Sequence, residues 1–208
     1  RFLAVTKVAT VEWKNEATDK AIKAELSMLF DELHALRAVR RASIKAGTKI
    51  LKSHMFVVEK YLATGEYEKT KARLVADGRD QDADMYPNKS SPTVAIHSVF
   101  TVLGMASSKP WRFVVKVDIR SAFVQTPMTG EPVYMKLDPK ITKYAVELCP
   151  ELQEYVEADG CLYTLLLKAL YGCIQASALW YALIRSVLEE FGYEVSKTDQ
   201  CVFRKRSG

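Results

Sequence analysis

The side chain with the clearest chemical potential in this sequence is Asp118. It lies in Trp111–Gln125, which reads Trp-Arg-Phe-Val-Val-Lys-Val-Asp-Ile-Arg-Ser-Ala-Phe-Val-Gln. Phe113, Val115, Val117 and Ile119 alternate with Val114, Lys116 and Asp118. That period of two predicts a strand with a buried apolar face and with Asp118 beside Lys116 on the open one. Ser121-Ala122-Phe123 then predicts a turn into helix. A carboxylate at such a strand end is either a solvated end or helix cap, or an oxygen ligand for a hard divalent cation. Exposed carboxylates are common enough that the residue by itself favours the first reading.

A second chemistry lies upstream. Met55–Lys60 predicts a strand, Thr64-Gly65-Glu66 a turn, and Thr70–Ala76 a returning strand. The hairpin carries Lys60 on one arm and Lys71 and Arg73 on the other. Arginine forks and lysine point charges both suit a triphosphate, although exposed hairpin arms also carry charge for solvation alone. Between Arg37 and Lys60 stand seven basic residues and one acid, Glu59. Such a segment attracts phosphates in a salt-sensitive way. The net charge of the whole chain is a mild +5.

Other chemistries are disfavoured. Cys149, Cys161, Cys173 and Cys201 include no C-x-x-C pair, and His34, His54 and His97 are scattered, so a zinc site is not expected. Free thiols in a reducing compartment fit this usage. No run approaches the roughly 20 apolar residues of a membrane span, and no membrane association is expected. The chain opens on Arg1 rather than Met, without a signal-peptide pattern. Either its start is processed or it is a piece of something longer. At 208 residues it makes one large domain or two small ones.

The elements that must position these residues follow from periodicity. Thr18–Arg40 predicts a helix capped by Thr18, with Ile22, Leu26, Leu29, Leu33 and Leu36 on one face. Asp77–Ser91 predicts a loop. Ser91-Pro92 opens a second helix with an Ile96, Val99, Phe100 and Leu103 stripe, ending near Ser107-Ser108. Val133–Met135 predicts a short strand, Asp138–Asp159 is illegible, and Leu162–Leu167 predicts a strand. A helix over Ala176–Phe191 is expected to bury Trp180, Leu183, Ile184, Val187, Leu188 and Phe191 before Gly192 stops it. Short strands are expected at Tyr193–Val195 and Cys201–Phe203, followed by a basic, flexible tail. The pattern is a mixed α+β chain without repeats.

Several stretches, taken in order, resemble the reverse transcriptase of copia-type (Ty1/copia) long-terminal-repeat retrotransposons. They are Lys71-Ala72-Arg73-Leu74-Val75-Ala76-Asp77-Gly78, Ser91-Pro92-Thr93-Val94, Asp118-Ile119-Arg120-Ser121-Ala122-Phe123, Val133-Tyr134-Met135, the box Leu170-Tyr171-Gly172-Cys173-Ile174-Gln175-Ala176-Ser177-Ala178-Leu179-Trp180-Tyr181, and Gly192-Tyr193 with Thr198-Asp199. Each is weak alone; the ordered set from about Lys52 to Phe203 is specific.

The resemblance implies a fingers-and-palm polymerase fold, its antiparallel palm sheet backed by helices and incomplete at the C-terminus. Residues 1–50 would be a helical segment leading into the fingers, 51–110 the fingers, and 111–208 a partial palm. The implied reaction is RNA-directed DNA synthesis, in which a primer 3′-hydroxyl attacks a deoxynucleoside triphosphate held by two magnesium ions. Asp118 would be the catalytic metal-binding aspartate and the Ile119 carbonyl a second ligand. Lys60 and Arg73 would hold the triphosphate, Phe123 would lie under the sugar, and Tyr171 and Gly172 would line the nucleotide pocket. Partners would be a primed RNA or DNA template and the remainder of a retrotransposon polyprotein, in an intracellular, cytoplasmic setting that includes virus-like particles.

The chain also departs from that family. It contains no Asp-Asp pair, which the family carries on a hairpin soon after the position of Phe203. Ile174, Ser177 and Ala178 replace the usual Lys, Pro and Arg, and Asp77 stands where a basic residue is usual. Residues 1–208 alone are therefore expected not to polymerise. The alternatives are a non-catalytic remnant that at most binds nucleic acid, and a structural α+β domain unrelated to polymerases.

Overall fold

The computed structural model describes residue 13 and residues 15–86 and 89–206. Part of the expected 77–91 loop and the last two residues of the tail lie outside the described residues. The first helix, α1 (Glu16–Ser27), is started by a capping box: the Asn15 side chain accepts from the Thr18 N–H at 2.8 Å, and the Thr18 hydroxyl accepts from the Asn15 N–H. Thr18 is thus the third helical residue and not the cap. A π-helical turn, Met28–Glu32, carries the helix on.

The helix stops well short of Arg40. His34 takes a left-handed conformation (φ 47°), and the Ala35 N–H donates back to the Leu29 carbonyl at 2.7 Å. This is the usual geometry of a helix stop, made here without glycine, so the composition carries no warning of it. Leu36, read as the last residue of the helical stripe, instead begins strand β1 (Leu36–Val39).

The predicted hairpin forms, and is longer than expected. β2 (Ile50–Tyr61) and β3 (Tyr67–Ala76) pair antiparallel from Ser53↔Ala76 outward to Tyr61↔Tyr67. β4 (Tyr134–Leu137) and β5 (Leu162–Leu166) follow. They join a five-stranded sheet in the order β1-β5-β4-β2-β3, in which only β2 and β4 run parallel. The illegible 138–159 stretch is helix α3 (Pro139–Leu148), capped by Asp138, followed by a 3-10 segment over Pro150–Tyr155.

α1 and α3 cover one face of this sheet. Ile22, Leu26 and Leu29 from the helix meet Leu51, Leu74, Met135, Leu137, Ile141 and Leu162, all essentially inaccessible. Each such side chain contributes roughly 1.5–3 kcal/mol by leaving water.

Helix α2 (Ile96–Ser107) begins five residues later than Ser91 indicates, and its stripe is exposed: none of its residues is buried, and Phe100 is 66% accessible. Helix α4 (Ala176–Glu190) buries only Ala176; Phe191, just beyond it, is exposed. β6 (Glu194–Val195) and β7 (Phe203–Arg204) make a separate two-stranded ribbon.

The largest difference concerns 113–119. The segment joins no sheet among the described residues, and the face read as buried is in water, with Phe113 83% and Val117 77% accessible. Alternation specifies which side chains share a face. It does not supply the neighbouring strand that must satisfy the backbone, and without that partner the segment is not a strand.

Candidate nucleotide site

Beside the sheet's β3 edge, α1, β3 and the 118–121 turn enclose a cavity of about 500 Å3. Three elements converge there. The Ala21, Ala24, Glu25 and Met28 positions form one stripe of the first helix. Lys71 and Arg73 come from β3, and Asp118, Ile119, Arg120 and Ser121 from the turn. Tyr171 completes the wall.

Ser121 shapes the turn. It is left-handed (φ 53°, ψ 41°), a conformation uncommon for a residue with a Cβ. It reverses the chain into the 3-10 turn Ala122–Gln125, and its hydroxyl contacts the Met28 sulfur at 3.0 Å. Asp118 is left at the cavity rim, exposed.

The aromatic side is ordered by stacking. The Arg73 guanidinium lies 4.1 Å from the Tyr171 ring centroid, close enough for a cation–π contact. Phe123 packs against Tyr171 with its ring tilted, the centroids 5.1 Å apart.

Gly172 explains how Tyr171 reaches β3. It is left-handed (φ 89°), and a Cβ there would collide with the Ala76 carbonyl oxygen. A Cβ on Gly78 would collide with the Gly172 carbonyl oxygen. The two backbones therefore meet through paired glycines, and the Ala76 N–H donates to the Tyr171 carbonyl at 2.8 Å. Behind this crossing, Gln81 donates to the Gln175 side chain at 2.9 Å and accepts from the Ile174 N–H at 2.8 Å.

The cavity is electropositive. Among the described residues neither Lys71 nor Arg73 has a carboxylate at ion-pair distance. Loss of surrounding water, then the charges of Arg73 and Lys60, hold the Lys71 ammonium below its usual range. Burial pushes the Glu25 carboxyl above its usual range, against the opposing pull of the Leu74 N–H and of Lys71, Arg73 and Arg120.

Of the residues singled out from sequence, Asp118, Ile119, Arg73 and Tyr171 line this one cavity. Phe123 and Gly172 adjoin it through Tyr171. Lys60 does not line it; with Lys71 and Arg73 it lines a neighbouring cavity on the hairpin. Asp77, unusual for its position by resemblance, is absorbed locally: its carboxylate accepts from Arg79 Nε at 2.8 Å and Nη2 at 2.6 Å, which holds it well below the usual carboxylate range. Glu25 and Arg120 escaped the sequence reading. The only hint of Glu25 was a carboxylate bordering the Ile22–Leu26–Leu29 stripe.

For metal chemistry the donor set is short. Asp118 and the Ile119 carbonyl are oxygen donors of the right kind. Among the described residues, however, no three His, Cys, Asp or Glu side chains gather as a metal site. Of the two carboxylates that line the cavity, Glu25 is engaged by the Leu74 N–H, and Asp118 by itself does not fit a pair of divalent ions.

Comparison with known proteins adds to this geometry. Residues 47–208 match the family described as "Reverse transcriptase (RNA-dependent DNA polymerase)". The chain is 32% identical over 152 residues to the "Retrovirus-related Pol polyprotein from transposon RE1" of Arabidopsis thaliana, covering 72% of this chain and 9% of that protein. The RE2 counterpart from the same plant gives the same figures. The "Transposon Ty1-H Gag-Pol polyprotein" of Saccharomyces cerevisiae is 28% identical over 141 residues, covering 64% of this chain and 7% of that one. The chain thus spans less than a tenth of the curated relatives it matches. No solved structure gives a significant match.

Proposed function

The chain belongs to the copia-type reverse transcriptase family of retrotransposon Pol polyproteins, and from that premise we propose that its cavity is the triphosphate cradle of an RNA-directed DNA polymerase. One observation carries the reading: Asp118, Arg73 and Tyr171, from three separate stretches of sequence, meet around a single electropositive cavity. Lys71 and Arg73 bind the incoming deoxynucleoside triphosphate, the fork and the point charge dividing its oxygens. Lys60 adds charge from the neighbouring hairpin face. Tyr171, held flat by Arg73 and backed by Phe123, presents an aromatic wall to the sugar, with Gly172 permitting the approach.

In this reading the β2–β3 hairpin and α2, within 51–110, act as fingers. Residues 111–208 form part of a palm, and 1–50 buttress both. A primed RNA or DNA template is the partner, and the basic 37–60 segment draws its phosphates in. Reverse transcriptases depend on divalent metal, and magnesium would stabilise the attacking and leaving oxygens. Asp118 and the Ile119 carbonyl would offer it two of its oxygens. Because the described donors do not suffice for two ions, activity requires carboxylates from further along the polyprotein.

Primer extension on an RNA template tests this directly. The 208-residue protein, the chain continued by about 60 residues in its source gene, and the continued chain with Asp118→Asn are compared in magnesium. Extension by the continued chain alone, at least about 100-fold lower in Asp118→Asn, is the expected result. No extension by any of them, with salt-dependent and metal-independent binding of the template, would instead identify a non-catalytic nucleic-acid binder.

A further inference from the structure

Glu25 has no part in the chemistry above, yet it stands in the same cavity. It comes from α1, upstream of residues 47–208 that match the family. Its neighbours Ile22 and Leu26 are fully buried against β3, so the helix cannot roll away and the carboxylate is delivered to one place.

That place is the edge of the sheet. β3 is the terminal strand, and a terminal strand presents outward N–H groups that need partners. Two successive ones are taken up here. The Leu74 N–H donates to Glu25 Oε1 at 3.1 Å, and the Ala76 N–H donates to the Tyr171 carbonyl at 2.8 Å. Lys71 and Arg73 are three residues and one residue before Leu74 on the same strand, and both line the cavity with Glu25.

We propose that Glu25 is a positioning residue of the cradle: it pins the outer edge of β3 so that Lys71 and Arg73 keep their place, and it is their standing counter-charge when no triphosphate is bound. This rests on the reading of the cavity as a triphosphate cradle. The two roles separate chemically. Gln keeps an oxygen to accept from the Leu74 N–H but carries no charge, whereas Ala keeps neither. The raised Glu25 carboxyl range, with Lys71 and Arg73 pulling it down, accords with a carboxylate facing cations it does not fully neutralise.

The probe is inorganic tripolyphosphate, titrated calorimetrically into the 208-residue protein. Wild type is compared with Arg73→Ala, Glu25→Gln, Glu25→Ala and Glu189→Gln, the last lying outside the cavity. Hydrogen exchange at the Leu74 amide is followed in parallel. Wild type is expected to bind and Arg73→Ala to lose most of that binding. Glu25→Gln should bind about three- to ten-fold tighter, the effect of removing one negative charge at a partly screened site, with Leu74 protection kept. Glu25→Ala should lose Leu74 protection at least about ten-fold, and Glu189→Gln should match wild type.

If wild type and Arg73→Ala both fail to bind, the cradle is wrong and the counter-charge falls with it. If wild type binds and Arg73→Ala does not, but Glu25→Gln is no tighter than wild type, the cradle stands and the counter-charge is overturned. Unchanged Leu74 exchange in Glu25→Ala overturns the edge-pinning role.

Discussion

At the scale of single residues the site depends on backbone more than on charge. Gly172 and Gly78 meet where β3 ends and the Tyr171 turn begins, and neither has room for a Cβ. Gly172→Ala faces both a steric collision and a left-handed φ of 89°. We expect it to cost about 3 kcal/mol or more and to displace Tyr171 from Arg73. Chemical denaturation together with tyrosine fluorescence would show both; an unchanged midpoint would mean the crossing is looser than described. By contrast, Asp77 is paired with Arg79 two residues away and does not line the cavity.

At the scale of elements, the sequence was readable where the period of a segment and its partner coincided. β2 and β3 alternate and pair with each other. The Gly65 turn between them is local, so the hairpin could be read from the chain alone. Ile22, Leu26 and Leu29 likewise marked a true buried stripe.

Legibility failed wherever the deciding fact was remote or conformational. His34 ends a helix without a glycine, so periodicity alone assigns to that helix a Leu36 that begins β1. The 113–119 segment and α2 carry clear apolar patterns, but no partner covers them among the described residues. Of the cavity, Asp118 and Arg73 stand out in the sequence by strand periodicity and charge, whereas Tyr171, and the gathering of all three into one site, is visible only through family resemblance. Glu25 was not visible, because its role comes from a strand almost fifty residues away.

A direct contrast follows from this. Phe113→Ser and Val115→Thr, both in exposed side chains, are expected to change stability in this chain by less than about 0.5 kcal/mol. Leu74→Ala, fully buried, is expected to cost about 2–5 kcal/mol. Thermal melts of the three variants decide the matter, and a large loss at Phe113 would restore the buried-strand expectation.

At the scale of the whole molecule, the part outside the matched family stretch holds the rest together. Ile22, Leu26, Leu29 and Leu36 all precede residue 47 and are buried in the main core. Losing four such side chains forfeits roughly 6–12 kcal/mol, comparable with the roughly 5–15 kcal/mol that holds a whole domain folded. A chain beginning at residue 47 is therefore expected to lose its cooperative thermal transition. Calorimetry of that shortened chain is the check, and a sharp melt near the original temperature would mean that α1 and β1 are accessories.

The partner of β1 is β5, paired from Leu36↔Leu166 to Val39↔Tyr163. On the ribosome, at about 5–20 residues per second, the first strand waits on the order of 6–25 seconds before its neighbour is synthesised. Its apolar side chains and those of α1 spend that interval without a finished core. During synthesis the segment from α1 to β1 thus stays apolar and uncovered, and the rate of translation across 40–166 sets how long that exposure lasts.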